Sequence, residues 1–197
     1  MSQYFRSFLL LPVCAVALLS PLAAQEVSLE MDPAQSKVDF TLGDILHTVR
    51  GTFQLKHGAI RFDLASGAAS GELLVDARSG ASGNDTRDRK MHKEILESQR
   101  FPDVVFRPDR VEGKLAPQGV SQVKVHGSFA IHGSEHELTA PVEVRVNRGQ
   151  YAITASFSVP YQKWGIKNPS TLFLRVDDKV DITVHSVAHV AGSSPSQ

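Results

Sequence analysis

The feature that most constrains the fold of this chain is alternation. In LTAPVEVRVN the apolar residues Leu138, Ala140, Val142, Val144 and Val146 occupy every second position, while Thr139, Glu143, Arg145 and Asn147 occupy the positions between. Successive side chains of a strand point to opposite faces, so this pattern describes strands with one buried face. The same period runs through Val123, Val125, Gly127, Phe129 and Ile131, through Tyr151, Ile153, Ala155, Phe157 and Val159, and through Val180, Ile182 and Val184. Shorter stretches carry it at Val49, Gly51, Phe53 and Leu55, at Ile60 and Phe62, and at Gly71, Leu73 and Val75. Turn residues punctuate the runs at His57-Gly58, Ser66-Gly67, His132-Gly133-Ser134-Glu135 and Asn147-Arg148-Gly149. Connections this short join antiparallel neighbours, because a parallel pair needs a crossover of about a dozen residues or more. The chain therefore reads as all-β, with about eight or nine strands in meander order forming a barrel or sandwich with one apolar face.

Two segments break the period. In NDTRDRKMHKEILESQRFPDVVF, nine of the fourteen residues from Arg87 to Arg100 are charged or histidine. Met91, Ile95 and Leu96 recur there at helical spacing, Asn84, Asp85 or Thr86 suits the N-cap, and Pro102 sets the end of the segment, handing the chain back to a strand at Val104. The spacing predicts one short amphipathic helix whose charges face water, with Lys90 and Glu94 as a favourable i,i+4 pair. Its three apolar residues must bury against something, and the nearest apolar surface is a barrel end. The second break, VPYQKWGIKNPSTLF, holds the sole tryptophan, Trp164, and an Asn168-Pro169 turn, and reads as a long functional loop.

The first residues have the layout of an export signal: Arg6, an apolar run from Phe8 to Leu19, then Ala23-Ala24. Residues 1–24 read as a cleaved signal peptide that sends the protein to the periplasm or outside the cell. Residues 25–190 then form one domain, and the small, polar tail 191–197 is expected to be disordered. The single cysteine, Cys14, leaves with the signal, so packing and hydrogen bonds hold the mature domain. With 21 basic against 21 acidic residues, the chain lacks the basic footprint of a nucleic-acid binder.

Patterning leaves open whether the apolar face encloses a filled core or a hollow. Gly51, Gly71, Gly127, Ala140 and Ala155 remove volume from it, while Phe53, Phe62, Phe129 and Phe157 could fill the space. The alternating strand positions named above include no charged residue, so a polar guest is poorly served there. His126 and His132 share a strand face about 20 Å apart, too far for one metal ion. His132 and His136 flank a tight turn and, with Glu135, would make an incomplete metal site at best. There is no G-x-S-x-G elbow and no phosphate-binding glycine loop with its lysine, so no enzymatic constellation is legible.

The runs KVDF and HTVRGTF, then GNDTRDRKMHKEILESQRFPDVVF, VHGSFAIHGSEHEL and WGIKNPS with VDDKVDI resemble, in this order and spacing, the YceI-like family of exported lipid-binding proteins. The resemblance spans residues 32 to 187 and implies a lipocalin-like, up-and-down antiparallel barrel of about eight strands, with the short helix at one end. It further implies an elongated apolar cavity for an isoprenoid or another long-chain lipid, and no cofactor. On that reading Val49, Gly51, Phe53, Phe62, Leu73, Val75, Phe106, Gly127, Phe129, Val142, Val144, Ile153 and Phe157 line the cavity, with Met91, Ile95 and Leu96 closing its end and Trp164 beside it. Two stretches depart from the family pattern: GDILHTVRG after the first strand, and Tyr161 where the family often has arginine. The alternative is a filled-core module acting on a membrane partner through its outer face or the Trp164 loop. Transient membrane contact and a homodimer both stay open at this point.

Overall fold

The alternating runs become nine strands in a computed structural model that describes residues 26–43, 48–170 and 175–192. The signal segment 1–24, and 193–197 of the tail, lie outside the described residues. The strands are β1 (Glu26–Met31), β2 (Lys37–Gly43), β3 (Thr48–Asp63), β4 (Ala69–Ala81), β5 (Asp103–Glu112), β6 (Gly119–Ile131), β7 (Ser134–Asn147), β8 (Gln150–Val159) and β9 (Val180–Val190). Every pairing between them is antiparallel.

From β2 through β9 the strands pair in order, and β9 closes the ring against β2. Nine strands make an eight-strand barrel because β1 and β2 share one place in the wall. Both pair with β3 on one side and β9 on the other, β1 along Ala59–Asp63 and β2 along Thr48–Phe53. A short turn at Pro33–Gln35, capped by the Asp32 carboxylate on Ala34 N, separates them. Proline early in that turn has no N–H to leave unsatisfied.

The expected turn at His57-Gly58 is absent. β3 runs through it without a break, and the residues absorb a shift of register against β4 between Leu55 and His57. A bulge inserts a residue and bends a long strand, which is what a closed barrel requires of it. The other short turns fall where the sequence places them, with His132 and Arg148 in left-handed conformations at the β6–β7 and β7–β8 connections.

Not every ladder of the wall is complete: β4 meets β5 only over Leu73–Asp76 against Asp103–Phe106, and β7 parts from β8. β7 pairs with β6 along its whole length, but its ladder to β8 covers only Val142–Asn147 against Gln150–Ala155. Beyond Ala155, β8 continues with β9 alone, as far as Val159 against Val180. The gap is packed by the segment after β8, where Tyr161 and Ile166 are buried with Phe129 and Val159, and Trp164 packs against them.

Candidate functional site

The eight-strand wall encloses a cavity of about 710 Å³. Inward positions show how hollow the barrel is. Phe53, Leu73, Val75, Phe106, Val125, Leu138, Ile153, Phe157 and Ile182 all face the cavity yet are only half-buried, because open space rather than packed side chains lies in front of them. A solid core would bury such residues completely. The end formed by the β3–β4, β5–β6 and β7–β8 turns is closed, by a cluster of Leu29, Met31, Leu55, Phe62 and Ala188 and by an adjoining cluster of Val123, Val142, Val144 and Val146. At the other end the exposed lining residues, Asn84, Thr86 and Arg87, lie together, and the cavity opens beside them.

That end is built by the charge-dense segment. Helix α1 (Asp85–Lys90) starts at Asn84, whose side chain accepts from Arg87 N, and continues as one wider turn over Met91–Ile95 in which Leu96 N donates to Met91 O. Such an i to i+5 turn is rare and recurs at functional sites. The segment ends at Glu97, in a left-handed conformation, and not at Pro102; Arg100 N and Phe101 N both donate to the Glu97 carbonyl, and β5 resumes at Asp103. His92 fastens it to the barrel. Its Nε2 lies 2.9 Å from the Gly80 carbonyl, which can only accept, so Nε2 carries the proton, and in the neutral ring Nδ1 accepts from the buried Ser98 hydroxyl at 3.0 Å. Gly80 leaves room for this docking, since a Cβ there would lie 2.8 Å from the Met91 methyl.

The approach to the helix is held by ionic hydrogen bonds. Both Asp88 oxygens accept from Ser82 N at 3.0 Å, and the Ser82 hydroxyl also bonds this carboxylate. Arg87 donates from Nε to Ser82 Oγ and from Nη2 to Ser82 O. Partial burial opposes ionisation of Asp88, but the Ser82 bonds and the charges of Arg87 and His92 outweigh it and hold the carboxyl below the usual range. The expected Lys90–Glu94 pair does not form; Glu94 turns to Lys167 at 3.7 Å. The wider turn between them removes the stacking that places i over i+4 in a regular helix.

Fourteen of the seventeen residues singled out from sequence line the cavity: Val49, Phe53, Phe62, Leu73, Val75, Met91, Ile95, Leu96, Phe106, Phe129, Val142, Val144, Ile153 and Phe157. Gly51, Gly127 and Trp164 do not. Added side-chain atoms at Gly127 would run into the Arg107 carbonyl and Pro108 on β5, and at Gly51 into the Ala81 carbonyl and the Phe40 ring. These glycines admit close neighbours; they do not widen the hollow. Trp164 stacks face to face on His136 at 4.2 Å and sits 5.7 Å from Phe129, sealing the gap in the wall.

The structure adds lining residues that patterning left out. Val38, Phe40 and Leu42 of β2 and Leu29 and Met31 of β1 alternate correctly, but on strands too short to stand out. Ser186 continues the inward set of β9 and places a hydroxyl in the lining, bonded to Ser36 Oγ at 2.7 Å. Ile166, Pro169 and Val176 come from irregular chain with no period to betray them. Tyr161 is buried, its hydroxyl donating to the Asp177 carbonyl, and burial together with Asp178 and Asp177 pushes it up to about 12. His132 and His136 do not converge. His132 packs on Phe101 and faces Glu97 at 3.3 Å, and among the described residues no group of three His, Cys, Asp or Glu side chains is placed to hold a metal ion.

An eight-strand antiparallel calyx around an apolar hollow, open at one end, defines a lipocalin-like barrel. Comparison with known proteins gives the class its particular family. The YceI-like domain matches residues 29–188, most of the chain, and the protein belongs to the YceI-like family. Among solved structures it resembles Burkholderia cenocepacia BcnA, with a TM-score of 0.66 at 20% identity over 80% of this chain and 98% of that one. A polyisoprenoid binding domain from Saccharophagus degradans, implicated in plant cell wall breakdown, matches with a TM-score of 0.60 at 14% identity over 83% and 99%. The Campylobacter jejuni YCEI protein matches with 0.54 at 13% identity over 96% and 98%. Against curated proteins the chain has no match.

Proposed function

We propose that this protein binds a long-chain amphiphilic lipid, a polyisoprenoid or similar molecule, in the barrel and carries or sequesters it after export to the periplasm or beyond. The observation that carries this reading is the hollow itself, a volume of about 710 Å³ walled by apolar side chains from all eight places in the barrel. Pockets for single organic ligands span about 300–1,000 Å³. Each methylene moved from water into such a site contributes about 0.8 kcal/mol, so a long chain supplies its own affinity without directional contacts. The polyisoprenoid-binding neighbour and the family support a lipid guest. The strand lining is apolar apart from the Ser186 hydroxyl, which is bonded to Ser36 Oγ, and this supports the reading of a binder. The filled-core alternative has no support in a barrel whose mid-section side chains face open space.

The test is native mass spectrometry of the mature protein purified from its host, followed by organic extraction. Adducts in the mass range of a long-chain lipid, recovered in the extract and restored by adding isoprenoid lipid to stripped protein, are expected. A bare polypeptide mass with no uptake of isoprenoids or apolar dyes would sink the carrier reading. Appearance of the mature form without residues 1–24 in the periplasmic or culture fraction checks export.

A further inference from the structure

Among the described residues, Lys90 is a cation without an anion. It is half-buried, it lines the open end of an otherwise apolar cavity, and it forms no hydrogen bond or salt bridge among the described residues. The one acid that helical spacing would give it, Glu94, is drawn off to Lys167 by the wider turn over Met91–Ile95. Arg87 lies one turn earlier on the same rim, with Nε and Nη2 committed to Ser82. The nearby Asp88 carboxylate is spent on Ser82, and Asp177 lies beside Gly43. A half-buried ammonium gains most from an ionised partner that shares its partly dehydrated surroundings.

Resting on the carrier reading above, we infer that the ligand is an amphiphile with an anionic head, a carboxylate or phosphate. Its chain lies among Phe53, Leu73 and Phe106, and its head meets Lys90 at the rim, with Arg87 adding positive potential. A neutral alcohol of the same chain fills the cavity equally well but leaves Lys90 without a counter-charge. Selection among lipids is then made at the mouth, where the barrel wall itself is indifferent.

The experiment measures dissociation constants at neutral pH for three ligands of identical chain, oleate, oleyl alcohol and oleylamine, each below its aggregation concentration, with inorganic phosphate as a separate arm. Wild type is expected to bind oleate about tenfold more tightly than oleyl alcohol, the scale of one partly screened charge-assisted contact, and to lose that preference as salt rises. Lys90→Met should bring the two ligands within about twofold of each other, and Lys90→Glu should shift preference to oleylamine. Lys93→Met, exposed on the same helix and outside the lining, should behave as wild type. Circular dichroism on each variant separates altered selectivity from altered folding. Equal affinity of wild type for acid and alcohol, or a preference that survives Lys90→Met, overturns the inference and leaves the carrier reading standing. Binding of inorganic phosphate as tight as that of oleate overturns it in favour of a free-anion site. Failure of all three lipids to bind overturns the carrier reading itself.

Discussion

At the scale of single residues, position in an alternating pattern and room around a side chain are separate matters. Gly127 sits at an inward position of β6 between Val125 and Phe129, both in the lining, yet its missing side chain makes way for the β5 backbone. The pairing explains why. Gly127 lies opposite Pro108, where β5 shifts register before Arg110. A proline cannot donate to the ladder, and the local bend brings its backbone close. Gly127→Ala should therefore lower stability by about 1–3 kcal/mol, as overpacking does. Urea unfolding would read this, and lipid stoichiometry should not change in the protein that folds. Exclusion of lipid by a fully stable Gly127→Ala protein would instead mean that the position faces the hollow. Alternation was enough to find Phe53, Phe129 and Phe157 because a side chain's face follows from its parity. It could not find Ile166 or Val176, which reach the cavity from chain without a period.

At the scale of elements, the helix was legible as an element and less so in its detail. The Asn84 cap and the apolar trio Met91, Ile95 and Leu96 are where the spacing puts them, and all three line the cavity. What the sequence hides is the wider turn. Nothing in Met91–Ile95 marks it, and it follows from docking, with His92 held between Gly80 and Ser98. Met91 lies against Gly80 and Phe53 at the barrel rim. Met91→Asp should leave the barrel folded and speed lipid exchange several-fold, because a carboxylate cannot stay on that apolar surface. Stopped-flow transfer of a fluorescent lipid to acceptor vesicles measures this; an unchanged rate in folded protein would show that the helix does not control exchange.

For the whole molecule, several carboxylates share one electrostatic condition. Burial opposes ionisation of Asp76, but hydrogen bonds from Arg78 and the charges of Lys56 and Arg78 hold it below the usual range, as Ser82 and its neighbours hold Asp88. Asp63 is lowered by Ser66 at the β3–β4 turn, and Asp32 by Gln35 and Ala34 between β1 and β2. A carboxyl with a depressed folded-state pKa contributes stability that is complete above its ordinary value, about 4, and is lost as pH falls through the depressed one. Urea midpoints should stay level from neutral pH down to about 5 and fall below about 4. Asp88→Asn should weaken the protein at neutral pH and flatten its acid response. A midpoint that rises on acidification would contradict this set of bonds.

The partial ladder between β7 and β8 gives this closed barrel a short free edge. Over Ser134–Pro141 the backbone of β7 has no strand partner on its β8 side among the described residues, and an unpaired edge is where copies of a protein add to one another. Two features blunt it. Pro141, the last residue of that stretch, has no N–H to offer, and the loop carrying Trp164 lies over His136. The loop carrying the lone tryptophan thus covers part of that edge. Trp164→Gly should raise concentration-dependent association, seen by light scattering, before any loss of strand content appears by circular dichroism. The piece of wall that the barrel leaves unhydrogen-bonded would become the place where one molecule sticks to the next.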